Sequence, residues 1–227
     1  GIADQVVQET LEKYLIKNKL SLKKINFFES KIIVKEIRKQ LRIMSGMFQK
    51  KLKKNPAESE EDLLRNHFST SERMPFYEEL KKKIALLKPR SILDLGCGVN
   101  PLAISSKKIE YYACDINEKE LSLVENHFKK NKIKGKTFIC DLRKFPDNLP
   151  SADLCLILKV LDILPDNRRI AEQILKEIKC KNFIVSFSTK KLSGEKMNRP
   201  KREWFEKILK KLNLRYAQFE SGNEMFY

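Results

Sequence analysis

Tryptophan occurs once and histidine twice in these 227 residues, and there are only 7 glycines and 5 cysteines. With histidine only at 67 and 127, a histidine-built metal centre is not expected. The cysteines at 97, 114, 140, 155 and 180 form no CxxC pair, and four lie in or beside apolar runs. They read as small, buried, reduced thiols rather than zinc ligands or disulfide partners, which points to a cytoplasmic protein. No apolar run approaches the roughly 20 residues that cross a bilayer, and "GIADQVVQET" lacks the basic-then-apolar order of a signal peptide. No glycine stands between Gly1 and Gly46, so turns in that stretch fall to Asn, Ser and Lys.

What is abundant is positive charge, +17 net. It is concentrated in two blocks: residues 1–56 carry 14 Lys and Arg against 5 acids, and residues 176–217 carry 13 against 4. Blocks of one sign suggest a polyanionic partner. A membrane surface would want an apolar face rich in Trp or Phe beside the lysines, and "NFF" at 26–28 meets that only faintly.

Two regions follow from periodicity. Up to about residue 75 the pattern is helical: Val6, Val7, Leu11, Tyr14 and Leu15 share one stripe, as do Ile32, Ile33, Ile37, Leu41 and Met44. Asn55-Pro56 breaks one helix and Ser59 can cap the next. A helical module over 1–75 is therefore expected, with a second domain over 76–227. There, strand candidates Ser91–Leu95, Tyr111–Asp115, Lys136–Asp141, Ala152–Lys159 and Asn182–Ser188 alternate with helix candidates Phe76–Leu87, Asn117–Lys130, Asn167–Lys179 and Pro200–Leu212. "RYAQFE" and "NEMFY" then flank a tight turn at "SGN". This order predicts an α/β fold, a mostly parallel sheet with a C-terminal antiparallel hairpin. Ligands of such sheets bind at the carboxyl ends of the strands.

The stretch "SILDLGCGVNPLAI" (91–104) has the strand–glycine–helix form of a nucleotide loop, but Pro101 stands where a dinucleotide loop wants its third glycine. Three strands end on aspartate: Asp94, Asp115 and Asp141. Asp115 lies 19 residues after Gly96, the spacing at which an acid receives ribose hydroxyls. Asp94 would repel a pyrophosphate but suits an ammonium group. The ligand this favours is S-adenosylmethionine, leaving as S-adenosylhomocysteine, in a class I Rossmann-like methyltransferase fold. Asp141 and Leu142 would flank the adenine, and Gly98 and Ile116 complete the cradle. The bland reading, three aspartates capping helices, explains each singly but not their common layout.

Fold does not name the methyl acceptor. The segment after the fourth strand, "LILKVLDILP", lacks the Asn-Pro-Pro-Tyr of amino-directed enzymes, and no cysteine sits convincingly as the nucleophile of a pyrimidine enzyme. A nucleophile with its own lone pair, such as guanine N7, needs no general base, only alignment. A site poor in His and Cys is compatible with that.

Taken in order, "HFSTSERMPFYEEL" (67–80), "LDLGCGVNPLAI" (93–104), "YYACDIN" (111–117), "LCLILKVLDIL" (154–164), "VSFSTKKLSG" (185–194) and "NEMFY" (223–227) resemble the aminoglycoside-resistance 16S rRNA (guanine-N7) methyltransferases, the Arm/Rmt, FmrO-like family. The resemblance spans about residue 60 onward. It implies methyl transfer to N7 of a guanine in the decoding A site of the assembled small ribosomal subunit, blocking aminoglycosides. It also implies that Arg73 grips the cofactor carboxylate and that His67, Ser69 and Thr70 belong to the segment closing over the site. Lys159, after the fourth strand, is expected in the site, near the cofactor or the target phosphate, and with Lys190 is the candidate for catalytic positioning. RNA contacts are expected from Lys190, Lys191, Lys196, Met197 and Arg199 in one loop. Lys23, Lys24, Lys50, Lys51, Lys53 and Lys54 in the helical module would add to them. A monomer acting without metal or membrane completes the expectation. Methylation of another rRNA position or of tRNA, and a non-catalytic RNA-binding role, stand as alternatives.

Overall fold

The protein, seen as a computed structural model, is described over residues 2–41, 59–145, 148–191 and 194–227, excepting the side chain of Phe68. Seven strands form one sheet: β1 (Ser91–Leu95), β2 (Glu110–Asp115), β3 (Gly135–Ile139), β4 (Ala152–Leu158), β5 (Cys180–Ser188), β6 (Phe219–Ser221) and β7 (Glu224–Phe226). Their order is β3-β2-β1-β4-β5-β7-β6. β1 to β5 run parallel, and β7 is antiparallel to both of its neighbours.

The central strands are apolar almost without interruption because helices cover both faces. Ile92, Leu154, Leu156 and Ile184 face one way, against α5 (Tyr77–Leu86) and α7 (Glu118–Lys130). Leu93, Leu95, Cys155, Ile157, Val185 and Phe187 face the other, against α8 (Asn167–Glu177) and α9 (Glu203–Lys211). On that second face Phe187 is fully buried, and Trp204, Phe205 and Tyr227 meet its ring edge-on at 5.6, 5.2 and 5.8 Å. Such contacts add to area burial by roughly 0.5–1.5 kcal/mol each. The chain leaves β1 for β2 on one side and reaches β4 on the other, so the crevice for a ligand opens between the carboxyl ends of β1 and β4.

N-terminal to the sheet, α1 (Asp4–Lys17) and α2 (Phe27–Leu41) pair through Leu15, Ile33 and Ile37. Ile32, expected in that stripe, is instead 63% exposed, since the face that meets α1 repeats at 33, 37 and 41. Met44 and Asn55-Pro56 lie outside the described residues. The pair is tied to the sheet where the Ala3 N–H donates to the Ile116 carbonyl at 2.9 Å and Lys144 pairs with Glu9. Ser59 caps α3 (Glu60–Asn66) by accepting from the Asp62 N–H, and Glu60 reaches His127 on α7 at 3.0 Å. Next, α4 (Phe68–Arg73), a 3-10 turn (Met74–Phe76) and α5 follow without a break, and the expected boundary at residue 75 falls inside this run.

Cys114 and Cys140, read as separate buried thiols, lie side by side across the ends of β2 and β3, with Cα atoms 5.6 Å apart. Neither the spacing of 26 residues nor the strand pattern marks that pair in the sequence. The last hairpin is also shorter than "RYAQFE" suggested, since pairing begins only at Phe219.

Between β6 and β7 the turn is Gly222-Asn223, with Gly222 at φ +62°, the glycine-first form of a two-residue hairpin. A Cβ at Gly222 would lie 2.2 Å from the Phe76 ring. We expect Gly222→Ala to cost about 1–3 kcal/mol, from left-handed strain plus displacement of that ring. A lowered urea midpoint would show it; an unchanged midpoint would mean that the turn and Phe76 shift freely.

Candidate cofactor cleft

β1 ends in a glycine corner. The Gly96 and Cys97 N–H groups both donate to the Cys114 carbonyl, at 2.8 and 3.0 Å, fixing the loop to β2. Gly96 and Gly98 have φ of +67° and +50°. A Cβ on Gly96 would meet a Val160 methyl at 2.6 Å, and one on Gly98 would lie 3.1 Å from the His67 ring. Here backbone must come close to whatever occupies the space, and only glycine allows it. Pro101 opens the short helix α6 (Pro101–Ile104), where its missing N–H costs nothing.

Over this corner lies a cleft at the carboxyl ends of the strands, where sheets of this kind bind their ligands. Gly96, Gly98, Asp115, Ile116, Asp141, Leu142 and Lys159 all line it, as do His67 and Ser69. Asp115 accepts from the Gly98 N–H at 2.8 Å and the Asn117 N–H at 2.9 Å, one with each oxygen. Burial raises its pKa while those N–H groups oppose the rise. The Ile116 N–H is a further partner, and since a carboxylate has about four acceptor sites, capacity remains for a hydroxyl. Asp141 is gripped by Arg143, which donates from its backbone N–H and its guanidinium. Leu142, Val160, Ile163 and Leu164 give the adjoining wall its apolar character.

Arg73 and Asp94 do not line the cleft; they are buried behind it at 3% and 1% exposure. Arg73 donates to both oxygens of Glu224, from Nε at 2.9 Å and Nη2 at 3.0 Å, and from Nη1 to Asn100 at 3.2 Å. Burial works against its charge, but Glu224 and Tyr77 together outweigh this and raise its pKa. Asp94 accepts from Asn100 at 2.9 Å and from the Tyr111 hydroxyl at 2.8 Å, yet its Oδ1 is buried with no partner. Burial pushes this carboxyl up to about 6, against those two hydrogen bonds. Lys159 takes φ +60° and places its Nζ 2.6 Å from Glu72 and 3.6 Å from Glu224. His67 is held neutral, its pKa pushed down to about 4 by burial and by Arg73, and its Nδ1 lies 3.1 Å from the Ser69 hydroxyl.

Lys190, Lys191, Lys196 and Arg199 are exposed and outside the cleft lining, and Met197 is half-buried. Lys190 and Lys196 pair as an antiparallel bridge, and Arg202 anchors the base of the loop through Asp162, the Ser188 carbonyl and the Met197 sulfur. Lys23 and Lys24 are exposed on a turn after α1. Lys50, Lys51, Lys53 and Lys54 lie outside the described residues. Among the described residues no group of His, Cys, Asp and Glu is arranged to hold a metal ion, and no helix is long and apolar enough to cross a membrane.

A family model described as ribosomal RNA methyltransferase (FmrO) matches residues 56–227. The chain belongs to that family. Among curated FmrO-family relatives, the 16S rRNA (guanine(1405)-N(7))-methyltransferase of Micromonospora echinospora is 29% identical over 172 residues, covering 71% of this chain and 62% of the relative. The namesake from Serratia marcescens is 32% identical over 145 residues, 62% of this chain and 57% of its own. The matches thus span less than two thirds of these relatives' length. Of solved structures, the 16S rRNA methyltransferase RmtF in complex with S-adenosyl-L-homocysteine superposes with a TM-score of 0.76 at 22% identity, over 100% of this chain and 90% of that one. The 16S rRNA methylase ArmA gives 0.55 at 29% identity, over 74% and 89%. The first of these shows the fold: a mostly parallel sheet with a C-terminal antiparallel hairpin, the class I methyltransferase fold expected from the sequence.

Sequence reasoning missed Glu224, Asn100, Glu72 and Arg143 as parts of this site. Only Glu224 left a trace, as a lone acid inside the apolar run "NEMFY". Asp94 yields the test. If its ionised form receives an ammonium group, affinity for S-adenosylhomocysteine should be full above pH 6 and should fall by about tenfold per pH unit below it. Asp94→Asn should flatten that profile, and calorimetry across pH 5–8 checks it. A wild-type affinity independent of pH would remove Asp94 from this role.

Proposed function

We propose that this chain transfers a methyl group from S-adenosylmethionine to N7 of a guanine in 16S rRNA of the assembled small ribosomal subunit. It would act in the cytoplasm, as a monomer and without a metal ion. The observation that carries the reading is the family membership of residues 56–227 together with a cleft that pairs a glycine corner with Asp115 and Asp141. The residues present fit the cofactor. Asp115 has acceptor capacity left for ribose hydroxyls, Leu142 offers an apolar wall for adenine, and the unpartnered oxygen of Asp94 suits an ammonium group.

When bound, the cofactor supplies a methyl group activated on a sulfonium. The protein's part is alignment and exclusion of water. N7 carries no proton to remove, so neutral His67 has no base to provide, and rate comes from holding the acceptor in line with the methyl carbon. Lys159 and Glu72 stand as a closed ion pair beside that space. In A-form RNA, N7 lies in a groove too narrow for side chains, so the target base has to be extruded or the helix distorted. The exposed lysines of the 190–199 loop and of the helical module at 1–75 would hold the phosphates while this happens. The added methyl puts positive charge where a polycationic aminoglycoside docks, which would give resistance.

Purified small subunits incubated with labelled S-adenosylmethionine, then cleaved with borohydride and aniline, report 7-methylguanine directly. We expect one cut, in 16S rRNA; label only in tRNA, or no cut, would overturn the proposal. Asp115→Ala should abolish cofactor binding. Lys190→Glu with Lys191→Glu should keep it but lose subunit methylation by about 100-fold, and unchanged turnover would refute the loop's role.

A further inference from the structure

On the face of the sheet opposite α5 and α7, helices α8 and α9 lie side by side with a groove between them. Seven cations and two acids line it. Its upper end adjoins the cleft. Asp162, next to the cleft residue Ile163, pairs with Arg202 at 2.6 Å just before α9 begins. Leu164, also in the cleft lining, leads within three residues into α8.

Acids neutralise only part of the charge. Arg169 pairs with Asp166, Arg202 with Asp162, and Lys211 with Glu172. Glu203, the other acid of the lining, stands in the first turn of α9, where the helix end favours it. Arg168, Arg199, Lys201 and Lys207 are exposed and meet no acid among the described residues. These free cations gather toward the cleft: Arg168 lies in the first turn of α8, Arg199 and Lys201 precede α9, and Lys207 is one turn into it. Among them stands Trp204, the one indole of the chain, half-buried in the groove lining. Phe187 and Phe205 meet it edge-on at 5.6 and 5.7 Å, which fixes the ring while part of it stays open.

An aromatic ring among free cations is the combination that single-stranded nucleic acid uses, with phosphates on the cations and a base stacked on the ring. A membrane surface would want several apolar side chains beside the lysines, and here one ring stands alone. An acidic protein segment would satisfy the cations but leave the indole unused. Arg199 belongs both to this lining and to the loop given an RNA role above, so the two surfaces are continuous.

We infer that the α8–α9 groove binds single-stranded RNA, taking the 16S rRNA strand that leads away from the target guanine, with Arg168 and Lys207 on its phosphates and Trp204 against one base. This rests on the proposed rRNA substrate and adds a surface outside both the cleft and the N-terminal helices.

Filter binding of the full chain to purified small subunits, to naked 16S rRNA and to a short single-stranded RNA tests this. Arg168→Gln with Lys207→Gln should weaken all three by at least about tenfold and make the dependence of log Kd on log salt shallower by about 1.4, the slope of two contacts to a single strand. Calorimetry should find S-adenosylhomocysteine bound as by the wild type. The short RNA should quench the emission of Trp204 in the wild type. Unchanged RNA affinity in the double variant, or emission that does not move while RNA binds, overturns the inference. Loss confined to assembled subunits would put a ribosomal protein on this face, and a parallel loss of S-adenosylhomocysteine would make the two residues supports of the cleft; each overturns it as well. Wild-type protein that binds neither subunits nor 16S rRNA would instead sink the substrate reading, and the groove with it.

Discussion

A guanidinium and a carboxylate 151 residues apart in sequence meet in the interior of this protein, with no water-exposed surface to share their charge. Arg73 arrives on a short helix and Glu224 on the last strand, and each would be expensive to bury alone. Together they close the molecule. The helical run from residue 60 to 86 cannot leave the sheet without stranding Glu224, and β7 cannot peel from β5 without stranding Arg73. Lys159 and Glu72 extend the pairing across the mouth of the cleft. Charges therefore alternate from α4 through β7 to the end of β4. The pair does more than add stability, because a hydrophobic substitute of equal volume could do that. It fixes which edge of the Arg73 guanidinium meets β7.

That constraint separates the cleft from the polar cluster buried behind it. The cleft, under Asp115 and Asp141, is built locally by the strand–turn–helix units that carry it, with backbone N–H groups holding Asp115 and a neighbouring arginine holding Asp141. The cluster behind it, around Asp94, Asn100 and Arg73, is assembled from distant pieces and keeps one acceptor unsatisfied in the interior. Leaving such an atom unpaired costs about 1–3 kcal/mol, a cost that a ligand can recover.

The same division explains what could be read from the residues in advance. The five parallel strands were legible within a residue or two because continuous apolar runs bounded by turn residues have few other uses. That Asp115 and the two glycines share one corner was legible because their spacing is local. Glu224 was not, since its partners lie on α4, β4 and β5, and a single acid in "NEMFY" does not say whom it faces. The outward turn of Ile32 was missed because two adjacent isoleucines fit the same stripe until the partner helix is known. The adjacency of Cys114 and Cys140 was not legible because it depends on strand register, which periodicity does not supply.

After β5, Lys190 and Lys196 pair across a backbone bridge, and Arg202 ties the segment to the floor beneath, where Phe187, Phe205 and Tyr227 interlock. Fixing the backbone of a residue costs about 1–2 kcal/mol, and for these residues that cost has been met during folding. At Lys190 and Lys196 the fold thus sets the backbone path while the side chains themselves stay exposed.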